Sequence, residues 1–220
     1  MNAKEPTFDE LRNEVLGQLD SVKSEEVIPF VPEKDDVLQD NYTLNIFPSK
    51  DIAHRLNLFM DELRQIEPDH YFLEPEKLHI TILGQIDIDT PLDKLINTVE
   101  ATLKNKEISF RLLGVGSNKL VSSFTAYPQN FSLFELRQEI RKGLGLQADD
   151  YTKFLSAYEY VGWLNYLRYA YEPSEQLLSK LRDSKNIEFG LLQPESVKLL
   201  RNNSRTLRDG SFEVIKEFSA

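Results

Sequence analysis

Residues 78–83 read Leu-His-Ile-Thr-Ile-Leu and are closed by Gly84. The alternation of apolar and polar side chains predicts a half-buried β-strand over about 77–86. Because alternate side chains of a strand point to opposite faces, His79 and Thr81 are expected to project together while their apolar neighbours enter a core. An imidazole beside a hydroxyl suits a phosphate ester, since the imidazole exchanges a proton near neutral pH and the hydroxyl can bond a phosphoryl oxygen. A lone histidine in an apolar strand also fits a purely structural role. Whether His79 is catalytic or structural therefore depends on residues elsewhere in the chain.

The composition narrows the class of protein. The chain has 220 residues, of which 40% are hydrophobic and 28% charged, as in a globular protein with one substantial core or two small lobes. We expect a cytoplasmic monomer that does not enter a membrane, because no apolar run approaches the roughly 18 residues needed to cross one and the start lacks an apolar signal core. The absence of cysteine excludes disulfides, thiolate metal sites and a thiol nucleophile.

The net charge argues against duplex DNA binding, and the small number of histidines argues against a His-rich metal site. A formal net charge of −10 disfavours binding to duplex DNA but leaves room for a local phosphate site. Three histidines, His54, His70 and His79, leave little room for a His-rich metal site, and mixed carboxylate and histidine ligation stays open although no zinc-binding spacing occurs. We expect no metal and no cofactor. His54 lies off the apolar stripe of its predicted helix, whereas His70 lies in a turn from which it can approach the site. The adjacent pair Asp149 and Asp150 is interpreted as solvated loop acids rather than a cation site.

The periodicities predict an α+β fold whose order of elements is similar in its two halves. An amphipathic helix over residues 7–23 and a polar connector form an N-terminal segment, 1–40, ahead of a bilobal domain, 41–220. Capping signals at Thr7, Ser49, Thr90, Ser132 and Ser174 each predict the start of a helix. Alternating or apolar runs predict strands at 41–47, 77–86, 108–114, 121–127, 160–169, 197–200 and 212–218.

Two other clusters have the composition of a phosphate site but are interpreted differently. Gly114-x-Gly116 lacks the third glycine and the Lys-Ser/Thr ending of a phosphate loop, so it is interpreted as part of a strand and turn. Arg201, Arg205 and Arg208 lie near the turn of the last predicted hairpin. We interpret these arginines as a solvated hairpin tip rather than as a phosphate clamp.

Residues 77–84, KLHITILG, resemble the first of the two H-x-T/S motifs of the two-histidine phosphoesterase superfamily, which includes RNA 2′,3′-cyclic phosphodiesterases and 2′-5′ RNA ligases. The resemblance covers about residues 41–218, including an ending, 196–218, similar to the closing strands of that family. It implies two similar lobes, antiparallel sheets that line a central cleft with helices outside, and a reaction that needs no metal. The ligand implied is a nucleotide or an RNA-end phosphate.

The second motif departs from the family pattern. Residues 163–169, WLNYLRY, occupy its place, with Trp163 where the family has histidine and Asn165 where it has Thr or Ser. Arg168 matches the trailing pattern. The family reaction uses one imidazole as a base and the other as an acid, and an indole N–H can fill neither role because it does not titrate.

Three functions therefore stay open. In the first, His79 and Thr81 are the catalytic residues of a phosphodiesterase weakened by its second motif, and the missing partner is His70, Tyr166 or solvent. In the second, the cleft binds nucleotides or RNA ends without turning them over. In the third, the cleft is vestigial and the N-terminal helix engages a protein partner.

The resemblance assigns substrate binding, in either of the first two functions, to the second motif. The residues concerned are Trp163, Asn165, Tyr166 and Arg168. Trp163 would stack on a base or ribose, as aromatic side chains do in single-strand binding, and Asn165 would donate to a phosphoryl oxygen.

Overall fold

A computed structural model describes residues 5–104, 106–146 and 157–219, so Asp149 and Asp150 lie outside the described residues. The helices are α1 (Phe8–Ser21), α2 (Pro32–Asp35), α3 (Lys50–Ile66), α4 (Leu92–Leu103), α5 (Leu133–Leu144), α6 (Ala157–Tyr160) and α7 (Glu175–Asp183). The strands are β1 (Val37–Ile46), β2 (Tyr71–Phe72), β3 (Ile80–Asp87), β4 (Phe110–Ser117), β5 (Val121–Pro128), β6 (Gly162–Arg168), β7 (Glu188–Leu192), β8 (Ser196–Ser204) and β9 (Phe212–Ser219). The α+β class is confirmed.

Side-chain caps begin most of the helices predicted from the sequence. Thr7 forms a full capping box, accepting from the Glu10 N–H at 3.3 Å while the Glu10 carboxylate accepts from the Thr7 N–H at 2.7 Å. Ser49 and Ser174 cap α3 and α7 through their hydroxyls. The prediction for Thr90 is wrong: its N–H donates to a carbonyl of the preceding turn, and Pro91 takes the cap position of α4 without a side-chain cap.

The strands form one open antiparallel sheet in the order β7-β4-β5-β6-β3-β1-β8-β9, with the short β2 paired to β6. The two predicted lobes are the halves of this sheet, and they meet where β3 pairs with β6. The pairing there is short, with Ile80 opposite Leu164, and both side chains are fully buried. The main core covers both halves, so the junction lies inside a single apolar interior.

The N-terminal segment is packed on the second half of the sheet. Leu11 and Val15 of α1 join a small apolar cluster with Leu113, Tyr127 and Val161. The connector then returns along the sheet through backbone hydrogen bonds of residues 28 and 30 to the carbonyls of residues 119 and 169.

The observed strands differ from the predicted ones in several places. The first strand, β1, begins at Val37, ahead of the predicted start at residue 41, whereas β3 begins at Ile80, after the predicted start at about 77. β2, Tyr71–Phe72, and β7, Glu188–Leu192, have no counterpart among the predicted strands. Within the described ranges, none of the helices combines the length and the apolarity needed to span a bilayer.

Replacing Leu164 by Ala is expected to lower the free energy of unfolding by about 2–5 kcal/mol, because it removes buried methyl groups at the junction and leaves a cavity. Leu191→Ala is the matched control: the Leu191 side chain is 49% exposed on β7, and the change is expected to cost no more than about 0.5 kcal/mol. Urea denaturation followed by circular dichroism measures both. Equal losses in the two variants would contradict a stabilising role for the junction.

Candidate functional site

The register between β3 and β6 brings the two motifs side by side. Because Ile80 lies opposite Leu164 in an antiparallel pair, His79 falls beside Asn165 and Thr81 beside Trp163. All four side chains belong to the face opposite the buried pair. His79, Thr81 and Asn165 line a cavity of about 300 Å³, and Thr81, Trp163 and Asn165 line an adjoining one of about 390 Å³. We call the two together the cleft.

His79 is held in one tautomer. Its Nδ1 lies 2.7 Å from the carbonyl oxygen of Lys77, and a carbonyl can only accept, so Nδ1 carries the hydrogen and Nε2 has the free lone pair. Burial lowers the pKa of His79 below its ordinary value, and the charge of Arg168 lowers it further, while the bond to Lys77 acts in the opposite direction. The side chain is therefore a neutral imidazole that can accept a proton or a hydrogen bond at neutral pH.

Asn165 and Thr81 are positioned from outside the cleft. The Oδ1 of Asn165 accepts a hydrogen bond from the Ser123 hydroxyl at 2.6 Å, which leaves its amide N–H groups for the cleft. The backbone at Thr81 is fixed by Arg137 of α5, whose guanidinium donates to the carbonyls of Thr81 at 2.9 Å and of Ile82 at 2.8 Å. The Thr81 hydroxyl has no hydrogen-bond partner among the described residues, and it lines both cavities.

Asn45 is a candidate site residue that the sequence reasoning missed. It pairs with Thr81 across β1 and β3 and lines the same cavity as His79. Its Oδ1 accepts from the Thr43 hydroxyl at 3.0 Å, but its buried Nδ2 has no hydrogen-bond partner within the described part of the chain. The signal was present as the polar face of the strand, Asn41, Thr43 and Asn45, which alternates with apolar residues.

Trp163 forms a wall of the cleft. The indole lies so close to Gly116 that a Cβ there would come within 2.8 Å of its Cζ3, and Val15 of α1 lies beside the same glycine. Gln18 of α1 also lines this part of the cleft, so the N-terminal helix closes the end at Trp163. The buried Nε1 of Trp163 has no hydrogen-bond partner in the described residues.

A β-bulge in β6 places the side chains of Tyr166 and Arg168 in different surroundings. Ser122 pairs with Leu167 and Ser123 with Asn165, so Tyr166 is an extra residue in β6. Arg168 consequently lines the cleft. The expectation that Tyr166 binds substrate is wrong, because its ring is fully buried in the core and packs on Phe124 at a centroid distance of 4.3 Å.

The other histidines do not reach the cleft. His70, one candidate for the missing acid or base, is 5% exposed, with its Nε2 2.8 Å from Glu67 and its Nδ1 accepting from the Ala170 N–H at 3.2 Å. Its role is structural. His54 lies on the exposed side of α3, as predicted. No group of three histidine, aspartate or glutamate side chains gathers as metal ligands in the ranges that the structure describes.

The fold matches several solved structures at low sequence identity. TT0787 of Thermus thermophilus aligns with a TM-score of 0.57 and 14% identity, over 82% of this chain and 97% of that one. Escherichia coli LigT in complex with 3′-AMP aligns with a TM-score of 0.57 and 12% identity over 82% and 97% of the two chains, and LigT in complex with ATP with 0.55 and 11% over 82% and 98%. These neighbours are two-histidine phosphoesterases. The chain has the two-histidine phosphoesterase fold. Neither a family model nor a curated protein sequence matches it.

Titrating His79 tests whether burial and the charge of Arg168 lower its pKa, as the structure indicates. We expect its midpoint, followed by NMR of the imidazole C–H signals and assigned with His79→Gln, to lie below the ordinary value of about 6.5. Arg168→Gln should move the midpoint upward because it removes a nearby positive charge. Arg201→Gln is the control, because it removes a cation that is already paired with Asp40 at 2.6 Å. This change should leave the midpoint of His79 where it is.

The sign of the shift also predicts a pH dependence of stability. With its folded-state pKa depressed, His79 binds a proton more readily in the unfolded chain, so its contribution to stability falls as the pH is lowered through about 6.5. A His79 midpoint at or above 6.5 would contradict this account.

Proposed function

We propose that the cleft binds the phosphate of a nucleotide or RNA end and that His79 supports slow, metal-independent opening of a cyclic phosphate there. The fold supports a phosphoesterase-like function. The observation that carries the proposal for this cleft is the tautomer of His79, which directs a basic Nε2 away from the Lys77 carbonyl and leaves it free beside hydrogen-bond donors that lack partners.

The proposed reaction uses one base. A water molecule attacks the phosphorus of a ribose 2′,3′-cyclic phosphate, and its proton passes to Nε2 of His79. The bond from phosphorus to one ribose oxygen breaks, and that oxygen takes a proton from solvent, giving a phosphate monoester. The Thr81 hydroxyl and the amides of Asn165 and Asn45 donate to the phosphoryl oxygens, where negative charge builds up in the transition state. No step requires a metal or cofactor.

The absence of a second imidazole limits the rate of this reaction. All three histidines belong to the described residues, and His79 is the one that lines the cleft. Loss of one general acid or base typically costs about 10² to 10⁴ in rate. We therefore infer turnover well below that of an enzyme with both histidines, in keeping with Trp163 and Asn165 at the second motif.

The alternative is a nucleotide- or RNA-end-binding protein without turnover. Its support is Trp163, which offers a rigid aromatic wall beside Thr81 and Asn165, together with the unpartnered Nδ2 of Asn45. Structures with this fold hold ATP, NADP+ and 3′-AMP in LigT, so nucleotide phosphates are the ligands to test first.

A role as a protein-interaction helix has less support. The apolar stripe of α1, with Leu11, Val15 and Leu19, is buried against the rest of the chain. A partner would have to displace α1 from the wall next to Trp163 in order to reach that stripe.

His79→Ala is expected to lower the rate of 2′,3′-cyclic nucleotide hydrolysis by about 10²-fold or more, because the base is removed, while 3′-AMP still binds through the remaining donors. His54→Ala, at an exposed position on α3, is the matched control and should keep the rate of the unmodified protein. Hydrolysis followed by chromatography and binding followed by fluorescence of Trp163, the chain's single tryptophan, measure the two properties.

Two results would separate the alternatives. If the unmodified protein and His79→Ala both hydrolyse at the background rate, and 3′-AMP changes the fluorescence of both, the protein binds without catalysis. If neither hydrolysis nor a response to 3′-AMP is seen, both forms of the proposal are wrong.

A further inference from the structure

The cleft continues past His79 into a third cavity of about 240 Å³ that shares Arg168, Arg205 and Leu120 with the central one. Lys34 and Phe30 also line this third cavity. We call this region, defined by Lys34, Arg168 and Arg205 around Phe30, the basic end. Gln18 and Trp163 line the other neighbouring cavity and do not line this one.

Arg168 is a buried cation without an anion. The side chain is 9% exposed, and its guanidinium carbon lies 4.9 Å from the centroid of the Phe30 ring. Its Nε is buried without a hydrogen-bond partner, and the guanidinium makes no hydrogen bond or ion pair with the described residues. Burying an unpaired charge is costly unless something compensates it. The stack on Phe30 supplies part of that compensation, and five N–H donors remain for a ligand.

The charges of the nearby acids Asp36 and Asp35 favour the cationic form of Arg168, but neither carboxylate bonds its guanidinium. Asp36 is buried and already bonds the hydroxyls of Ser204 and Thr206 and, at 2.7 Å, the Nε of Arg208. Asp35 accepts from the backbone N–H of residue 31 at 2.8 Å. Arg208 thus bonds a buried acid and Arg205 lines the cleft, while both are exposed in the loop of the last hairpin, as predicted.

The remaining charges make the basic end positive in an acidic protein. Lys34 and Arg205 are exposed, and their side chains form no ion pair with the residues described. Against Asp35, the cations Lys34, Arg168 and Arg205 leave an excess of positive charge, while the whole chain carries −10. A local positive region bounded by low-dielectric walls concentrates anions at that place.

The spacing along β6 separates this region from the proposed phosphate position. Arg168 is three residues beyond Asn165, and an extended strand rises about 3.3 Å per residue, so the two lie no more than roughly 10 Å apart, less with the bulge at Tyr166. The two phosphorus atoms of a diphosphate share a bridging oxygen, so they match two separate positions less well than two phosphates joined through a ribose. Two phosphates on the same ribose are farther apart.

We infer that the cleft takes a nucleotide with two separate phosphate groups on its ribose, one at His79 and Thr81 and the second at the basic end. This inference rests on the proposed function for the position of the first phosphate. It assigns Arg205 and Lys34 to ligand binding, and it makes a nucleoside bisphosphate a better ligand than a monophosphate or a diphosphate.

The test compares three ligands by calorimetry on the full chain: 3′-AMP, adenosine 3′,5′-bisphosphate and ADP. A charge-assisted hydrogen bond adds about 10-fold or more in affinity, so the bisphosphate should bind at least about 10-fold more tightly than 3′-AMP or ADP. In the double variant Lys34→Gln/Arg205→Gln this advantage should disappear. Both positions are exposed, so the variant is expected to fold. Arg201→Gln, on the strand that leads to Arg205 but paired with Asp40, should keep the advantage.

The outcomes separate this inference from the proposed function. If 3′-AMP binds but the bisphosphate binds no more tightly, or if the double variant keeps the advantage, the second phosphate position is wrong. If ADP equals the bisphosphate, the inferred spacing is wrong. If none of the three binds, the proposed function is wrong and the inference fails with it.

Discussion

The cross-strand contact of Ile80 with Leu164 is the constraint on which the cleft depends. It joins the two halves of the sheet, and both side chains are fully buried, so a register slip of one residue would expose apolar groups and bury polar ones. The same register places His79 beside Asn165 on the opposite face. The stability of the core and the geometry of the cleft therefore have a common origin.

Burial gives the cleft its chemical character. A half-buried imidazole near a guanidinium resists protonation, so His79 is available as a base rather than as a cation that would itself attract phosphate. Attraction for an anionic ligand then has to come from neutral donors such as Thr81 and Asn165 and from Arg168 farther along the strand. A neutral base and a cation line the same cavity of an acidic chain, and this arrangement is what the proposed binding of a phosphate requires.

Local sequence patterns predicted the elements that carry the motifs, and they failed where tertiary pairing decided the outcome. The capping signals of Thr7, Ser49 and Ser174 depend on neighbouring residues only, and the structure agrees with them. The alternation of 78–83 predicted β3, but this strand begins at Ile80, after a turn at Pro75–Lys77, so His79 directly precedes the strand. The bulge at Tyr166 arises from pairing with β5, which a period of two along β6 cannot reveal.

The candidate site was less predictable than the fold. His79, Thr81, Trp163, Asn165 and Arg168 were found through motif positions, whereas Asn45 and Arg205 carry no motif. Their place in the cleft follows from the strand order, in which β1 lies between β3 and β8, and from a hairpin that returns over the cleft.

A crystal structure with 3′-AMP bound tests the central claim most directly. The account predicts the phosphate in the cleft, with an oxygen at hydrogen-bond distance, about 2.7–3.2 Å, from the Thr81 hydroxyl and from the amide of Asn165. Nε2 of His79 should face the same group, with Nδ1 still bonded to the Lys77 carbonyl. A phosphate found only outside the cleft, or an imidazole whose Nε2 points away from it, would contradict the account.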